Sequence, residues 1–174
     1  MLKIVSGGQS GVDRAALDVA VEKNTPYGGW CPKGGWAEDL QDPPGLLALY
    51  PNLRETPGRD PRQRTEWNIR DSNRLLVLLD HRGLSSHGTK RAIRHAHELD
   101  RPRLVLDLGE EGDIDRAVPW LSDSHQAQLA LCIAGPRESE APGIYAAATP
   151  FLRAVLDRVT LREREHQNAQ EQDK

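Results

Sequence analysis

Leu2-Lys3-Ile4-Val5-Ser6-Gly7-Gly8-Gln9-Ser10-Gly11-Val12-Asp13-Arg14, followed by Ala15-Ala16-Leu17-Asp18-Val19-Ala20-Val21, decides the fold. Leu2 to Val5 is a short β-rich run, the glycines make a turn, and the alanine-rich run is helical. Gly7, Gly8 and Gly11 let the backbone turn tightly and approach a ligand closely. The helix directs its unpaired N–H groups and its positive dipole end back at that turn. This predicts an anion site over Gly7, Gly8, Gln9, Ser10, Gly11, Val12, Asp13 and Arg14. Ser10 and Asp13 have capping-box spacing, which puts the helix start near Ser10. Arg14 is a forked cation in a first turn that disfavours positive charge, so it points to an anionic partner. A glycine turn also serves simply to join strand to helix. The full dinucleotide fingerprint is not met: Ser6 stands where its first glycine would be, and no acidic residue follows near Cys31. No Gly-Lys-Ser/Thr follows either, so this is not a P-loop.

Further along, the same logic repeats. The first helix should run from Gly11 to Lys23 and end at Asn24 and Pro26. Tyr27-Gly28-Gly29-Trp30-Cys31 reads as a second strand, with Lys33 in the turn beyond it and near the first glycine loop. Residues 37–64 show little regular structure, being broken by Pro43-Pro44, Pro51, Pro57 and Pro61. A loop of that length is usually functional or mobile. Asp60-Pro61-Arg62-Gln63 opens a helix to about Ser72, with Gln63 reaching back and Trp67 as a core anchor. Its Arg64 and Glu66 are solvated surface groups or pocket groups. Arg74-Leu75-Leu76-Val77-Leu78-Leu79 is apolar throughout, as in a parallel strand covered on both faces. Gly88, Thr89 and Lys90 then open a helix whose buried stripe is Thr89, Ala92, Ile93, Ala96 and Leu99. Arg103 to Leu108 is a strand, Asp113 to Leu121 a short helix, and Leu129 to Ala134 the last strand. A third charged turn, Gly135-Pro136-Arg137-Glu138-Ser139, precedes a helix from Gly143 to Val159.

These units predict a single α/β domain over residues 1–160, a doubly wound and mostly parallel sheet with helices on both faces. Residues 161–174 are a polar tail expected to fray. Such a sheet gathers its strand-end turns along one edge, which would bring Arg14, Lys33, Lys90 and Arg137 together. The chain as a whole carries a net charge of −3, so basic turns stand out against it, and no general affinity for nucleic acid is implied. No apolar run reaches the length of a membrane span, and the chain opens on a core strand rather than a signal peptide, so a cytoplasmic protein is expected. Cys31 and Cys132 are isolated and expected as free thiols, and the six histidines do not cluster into a metal site.

Four motifs in one order carry a resemblance that spans residues 2–158. They are Ser6 to Asp18, Gly29-Trp30-Cys31-Pro32-Lys33-Gly34, Arg64-Thr65-Glu66-Trp67-Asn68-Ile69-Arg70-Asp71-Ser72, and Ala134-Gly135-Pro136-Arg137-Glu138-Ser139. They resemble the putative molybdenum carrier family, within the Rossmann-like group that holds the lysine-decarboxylase-like (SLOG) phosphoribohydrolases. The resemblance implies a Rossmann-like sheet, a homo-oligomer (dimer or tetramer) and a pocket for a small anionic ligand. It further implies molybdenum cofactor, another nucleotide-like phosphate-bearing ligand, or a molybdenum oxyanion. Ligand contact then falls on Gly7 to Arg14, Lys33, Gly88, Thr89, Lys90, and on Gly135, Arg137, Glu138 and Ser139. The family usually has Gly-Gly-Thr in its second unit, where this chain has His87-Gly88-Thr89. The Pro-Gly-Gly-x-Gly-Thr-x-x-Glu signature of the phosphoribohydrolases is absent. The primary expectation is therefore a carrier without an assigned catalytic residue. The alternative is an enzyme cleaving the glycosidic bond of a nucleotide, with Glu66 and Glu138 as candidate acids.

Overall fold

The computed structural model describes residues 1–80, 86–110, 112–123 and 128–172. Six strands form one sheet: β1 (Leu2–Val5), β2 (Tyr27–Cys31), β3 (Leu53–Glu55), β4 (Arg74–Leu79), β5 (Arg103–Asp107) and β6 (Leu129–Ala134). Between and after them lie α1 (Val12–Glu22), α2 (Leu46–Leu49), α3 (Pro61–Arg70), α4 (His87–Glu98), α5 (Asp113–Ser122) and α6 (Ile144–Gln172). Every pairing is parallel, and the order across the sheet is β3-β2-β1-β6-β4-β5. The apolar runs at β4 and β6 are central because both of their faces are covered.

Two cores sandwich the sheet. On one face α1, α5 and α6 pack Val12, Ala16, Ala117, Leu121, Leu152 and Val155 against Ile4, Leu76, Leu78 and Leu131. On the other face α3 and α4 pack Ile69, Ala92 and Ala96 against Leu75, Val77 and Cys132. A third cluster, around Leu17, Cys31, Leu46 and Leu53, seals the β2–β3 end. Neighbouring β6 and β4 thus send their chains to opposite faces, β6 into α6 and β4 into α4. A crevice must open between them beyond their carboxyl ends.

Several expectations change at this level. Residues 37–64 are not featureless: they contain α2 and β3, and β3 pairs with β2 through Gly29–Leu53 and Cys31–Glu55. Ser10 does not cap α1. The N-cap is Gly11, at φ 75°, with no side-chain cap bond. The Ser10 hydroxyl and the Asp13 carboxylate are both engaged elsewhere, so the capping-box spacing is coincidental. Asp60 does cap α3, accepting from Arg62 N at 2.9 Å and from Arg62 Nε at 2.7 Å, but among the described residues the Gln63 side chain does not reach back to Asp60 N. Trp67 is only half-buried, set edge-to-face on Trp30 at 4.7 Å and covered by Arg70. Leu99 is the C-cap of α4 and is exposed. The last helix does not stop at Val159, but runs on through Gln172.

Candidate functional site

A cavity of about 310 Å³ lies in the β6/β4 crevice, within the size range of small-ligand sites. Its floor is Cys132, Ile133, Ala134 and Gly135 at the end of β6. Gly7, Gln9 and Asp13 close one side, Arg62, Arg64, Thr65 and Asn68 of α3 another, and Ser86, His87, Gly88, Thr89 and Arg91 at the start of α4 a third. Trp36, Arg137 and Glu140 complete the wall. Four arginines (62, 64, 91 and 137) face two carboxylates, Asp13 and Glu140, so the cavity is basic in an acidic chain.

Asp13 sits in the first turn of α1 and is buried. Arg64 reaches it from α3, with Nη1 donating to Oδ2 at 2.7 Å. Burial pushes the Asp13 carboxyl up, and the charge and hydrogen bond of Arg64 and the Gln9 N–H oppose that rise. The Arg64 side chain passes close against the glycine turn: a Cβ at Gly7 would fall 2.6 Å from Arg64 Cζ. Gly7 is therefore required by the close approach of Arg64. Arg64 Nε is buried and has no partner among the described residues.

Asn68, one helical turn after Arg64, fixes α3 to the sheet. Its amide accepts from Trp30 N at 2.7 Å and donates to Trp30 O at 3.0 Å, as another strand would. Ser86 caps α4 by accepting from Thr89 N at 3.2 Å. His87 and Gly88, whose N–H groups have no acceptor within the helix, line the cavity. Thr89 is 2% exposed, and its Oγ1 has no partner among the described residues. A buried hydroxyl left unpaired costs about 1–3 kcal/mol, so it calls for an explanation.

The other expected ligand residues are placed differently. Of the anticipated cations only Arg137 lines the cavity. Arg14 turns away: Nε and Nη2 donate to Gly8 O at 3.2 Å, and the fork grips Asp39 at 3.0 Å. Lys33 and Lys90 are exposed and outside the cavity wall. Gly8 (φ 69°) and Gly11 (φ 75°) do need glycine geometry. The space beside Gly11, however, is filled by the β6–α6 turn, with Arg137 Cα 2.9 Å from where a Cβ would stand. Gly135 likewise has Val12 Cβ at 2.8 Å. These two glycines let the first and last turns touch. Ser10 and Ser139 both donate to the Glu38 carboxylate. Glu138 caps α6, accepting from Gly143 N and from Tyr145 N at 3.1 Å. Glu66 pairs with Arg91 at 3.8 Å. Neither of these last two lines the cavity.

Sequence reasoning passed over Arg62 and Arg91 and left Arg64 undecided. A signal was present for Arg64: it shares a helix face with Asn68 at a spacing of four, toward the sheet. Both thiols are free and buried, and burial raises the Cys31 thiol to about 11 and pushes Cys132 up as well. Neither is a thiolate at neutral pH. Among the described residues no group of three metal-binding side chains is assembled.

A parallel sheet with its ligand-sized crevice where helices change face defines an α/β protein of the Rossmann-like class. Counting strands from β6 instead of β1, the sheet order becomes 4-3-2-1-5-6, a doubly wound order with its switch at this crevice. The chain belongs to the circularly permutated YpsA SLOG family, matched over residues 4–156. It is also similar to the crystal structure of a putative molybdenum carrier protein from Syntrophus aciditrophicus. Identity is 38%, the match covers 88% of this chain and 94% of that one, and the TM-score is 0.77. No curated protein matches the chain. No described helix is long and apolar enough to cross a membrane.

Proposed function

We propose that this chain binds and carries a small anionic cofactor in the β6/β4 crevice, with molybdenum cofactor or a molybdenum oxyanion as the preferred cargo. The observation that carries this reading is the unpartnered Thr89 hydroxyl on a wall of arginines at the N-terminus of α4. Hydroxyl, free helix N–H groups and guanidinium are the donor set that a phosphate or tetrahedral oxyanion accepts from. The similar carrier protein supports the choice of molybdenum. A homo-oligomer is part of the same proposal, and light scattering of the purified chain measures it.

The test is mass spectrometry of the freshly purified protein for a bound pterin or nucleotide, with thermal-shift titrations of molybdate, inorganic phosphate and nucleotides. A bound pterin phosphate or a molybdate-dependent rise in melting temperature is the expected result. A protein that arrives empty and shifts with none of these compounds is not a carrier of this kind. Free base released from a nucleotide panel would favour the hydrolytic alternative instead.

A further inference from the structure

The segment that follows β2 folds back over the first glycine turn and places one carboxylate between two loops. Glu38 accepts from Ser10 Oγ, in the β1–α1 turn, and from Ser139 N at 3.2 Å and Ser139 Oγ at 2.6 Å, in the β6–α6 turn. The Arg137 guanidinium stands 3.6 Å away. Every group that contacts the Glu38 carboxylate is a donor, although Arg137 is shared with Glu140, which accepts from Arg137 N at 3.3 Å and lies 3.5 Å from its Nε. The station lies where two adjacent parallel strands end, and it holds an anion supplied by the chain itself. Trp36, two residues earlier on the same strap, is part of the cavity wall, and Arg137 faces the cavity too.

We propose that Glu38 is an internal stand-in for the anionic group of a ligand, occupying a second oxyanion station that shares Arg137 with the cavity wall. A phosphate monoester or other tetrahedral oxyanion takes the same donors and displaces the carboxylate. This deepens the proposed function, and rests on the crevice being the ligand site. The rest of the strap has its own anchors. Gln9 Oε1 accepts from Glu38 N at 2.9 Å, and Asp39 is gripped by Arg14, so release of the carboxylate need not release the segment.

The experiment is isothermal titration of the full chain with inorganic phosphate, and separately with molybdate, comparing wild type and Glu38→Ala. Removing the competing carboxylate should tighten binding of one of the two by about tenfold or more, the range of one charge-assisted hydrogen bond. Adding Ser139→Ala to Glu38→Ala should remove the gain. A folded Glu38→Ala protein that binds both anions as wild type does overturns the proposal and leaves Glu38 a loop clasp. Should Glu38→Ala fail to fold in plain buffer, phosphate or molybdate should restore its melting transition, and failure to restore it also overturns the proposal. Loss of cofactor binding in Thr89→Val alongside an unchanged Glu38→Ala would sink this inference while sparing the site.

Discussion

Asp13 and Arg64, 51 residues apart in sequence, form a 2.7 Å ion pair in which both side chains are almost wholly shielded from water. This pair ties the first turn of α1 to α3 across the end of the sheet and sets the guanidinium at the cavity wall. Removing one partner strands the other. Asp13→Ala should lower stability by about 3–5 kcal/mol in denaturant unfolding, the cost of an unpaired buried charge. Asp13→Ala with Arg64→Met should recover part of that loss. Additive losses in the double variant would show that the pair is not coupled.

Gly7→Ala acts on the same pair through sterics. The added methyl would collide with the Arg64 guanidinium, which must leave Asp13 to make room. We expect a stability loss close to that of Asp13→Ala and no further loss when the two are combined. Gly7→Ala unfolding at the wild-type denaturant midpoint would contradict the packing described.

Arg14→Ala separates charge at the turn from charge in the cavity. Arg14 serves Gly8 O and Asp39, outside the cavity wall. Its loss should cost about 1–3 kcal/mol of stability. Ligand affinity should be nearly unchanged. Affinity falling tenfold with an unchanged melting temperature would put Arg14 back on the ligand.

The reason the sequence pointed to Arg14 and Lys90 is instructive. A glycine turn before a helix marks the right end of the sheet, but successive helical residues point about 100° apart. Asp13 and Thr89 line the cavity, whereas Arg14 is held by Gly8 O and Asp39 and Lys90 is exposed outside the wall. The cavity cations come instead from Arg62 and Arg64 of α3 and from Arg91 of α4, none of which adjoins a glycine turn. Strands β1, β2, β4, β5 and β6 were legible because they are apolar runs or end in glycine turns. β3 was not: Leu53-Arg54-Glu55 lies between Pro51 and Pro57 and exposes its two charged residues. Only its ladder with β2 makes it a strand.

Acid should loosen the glycine turns. Burial alone would raise the Glu38 carboxyl, but hydrogen bonds from Ser10 and Ser139 and the charge of Arg137 outweigh it and leave it below the ordinary glutamate value of 4.5. A carboxyl lowered in the folded state contributes stability that is fully present above its unfolded value and is lost as pH falls through the folded one. Wild type should therefore lose more stability than Glu38→Gln on going from pH 6 to below about pH 4. Parallel pH–stability curves for the two proteins would show that the carboxylate is not stabilised by these bonds.

The central claim is that the crevice is built to receive an anion, and Thr89→Val tests it most directly. Valine keeps the shape and removes only the unpartnered hydroxyl, so without ligand the melting temperature should hold or rise. The decisive measurement is the affinity of wild type and Thr89→Val for molybdate and for a pterin phosphate, by isothermal titration. The account predicts binding weakened about tenfold in a variant at least as stable as wild type, the loss of one hydrogen bond to a charged acceptor. Equal affinity in the two proteins, or a variant that is clearly less stable, would contradict it.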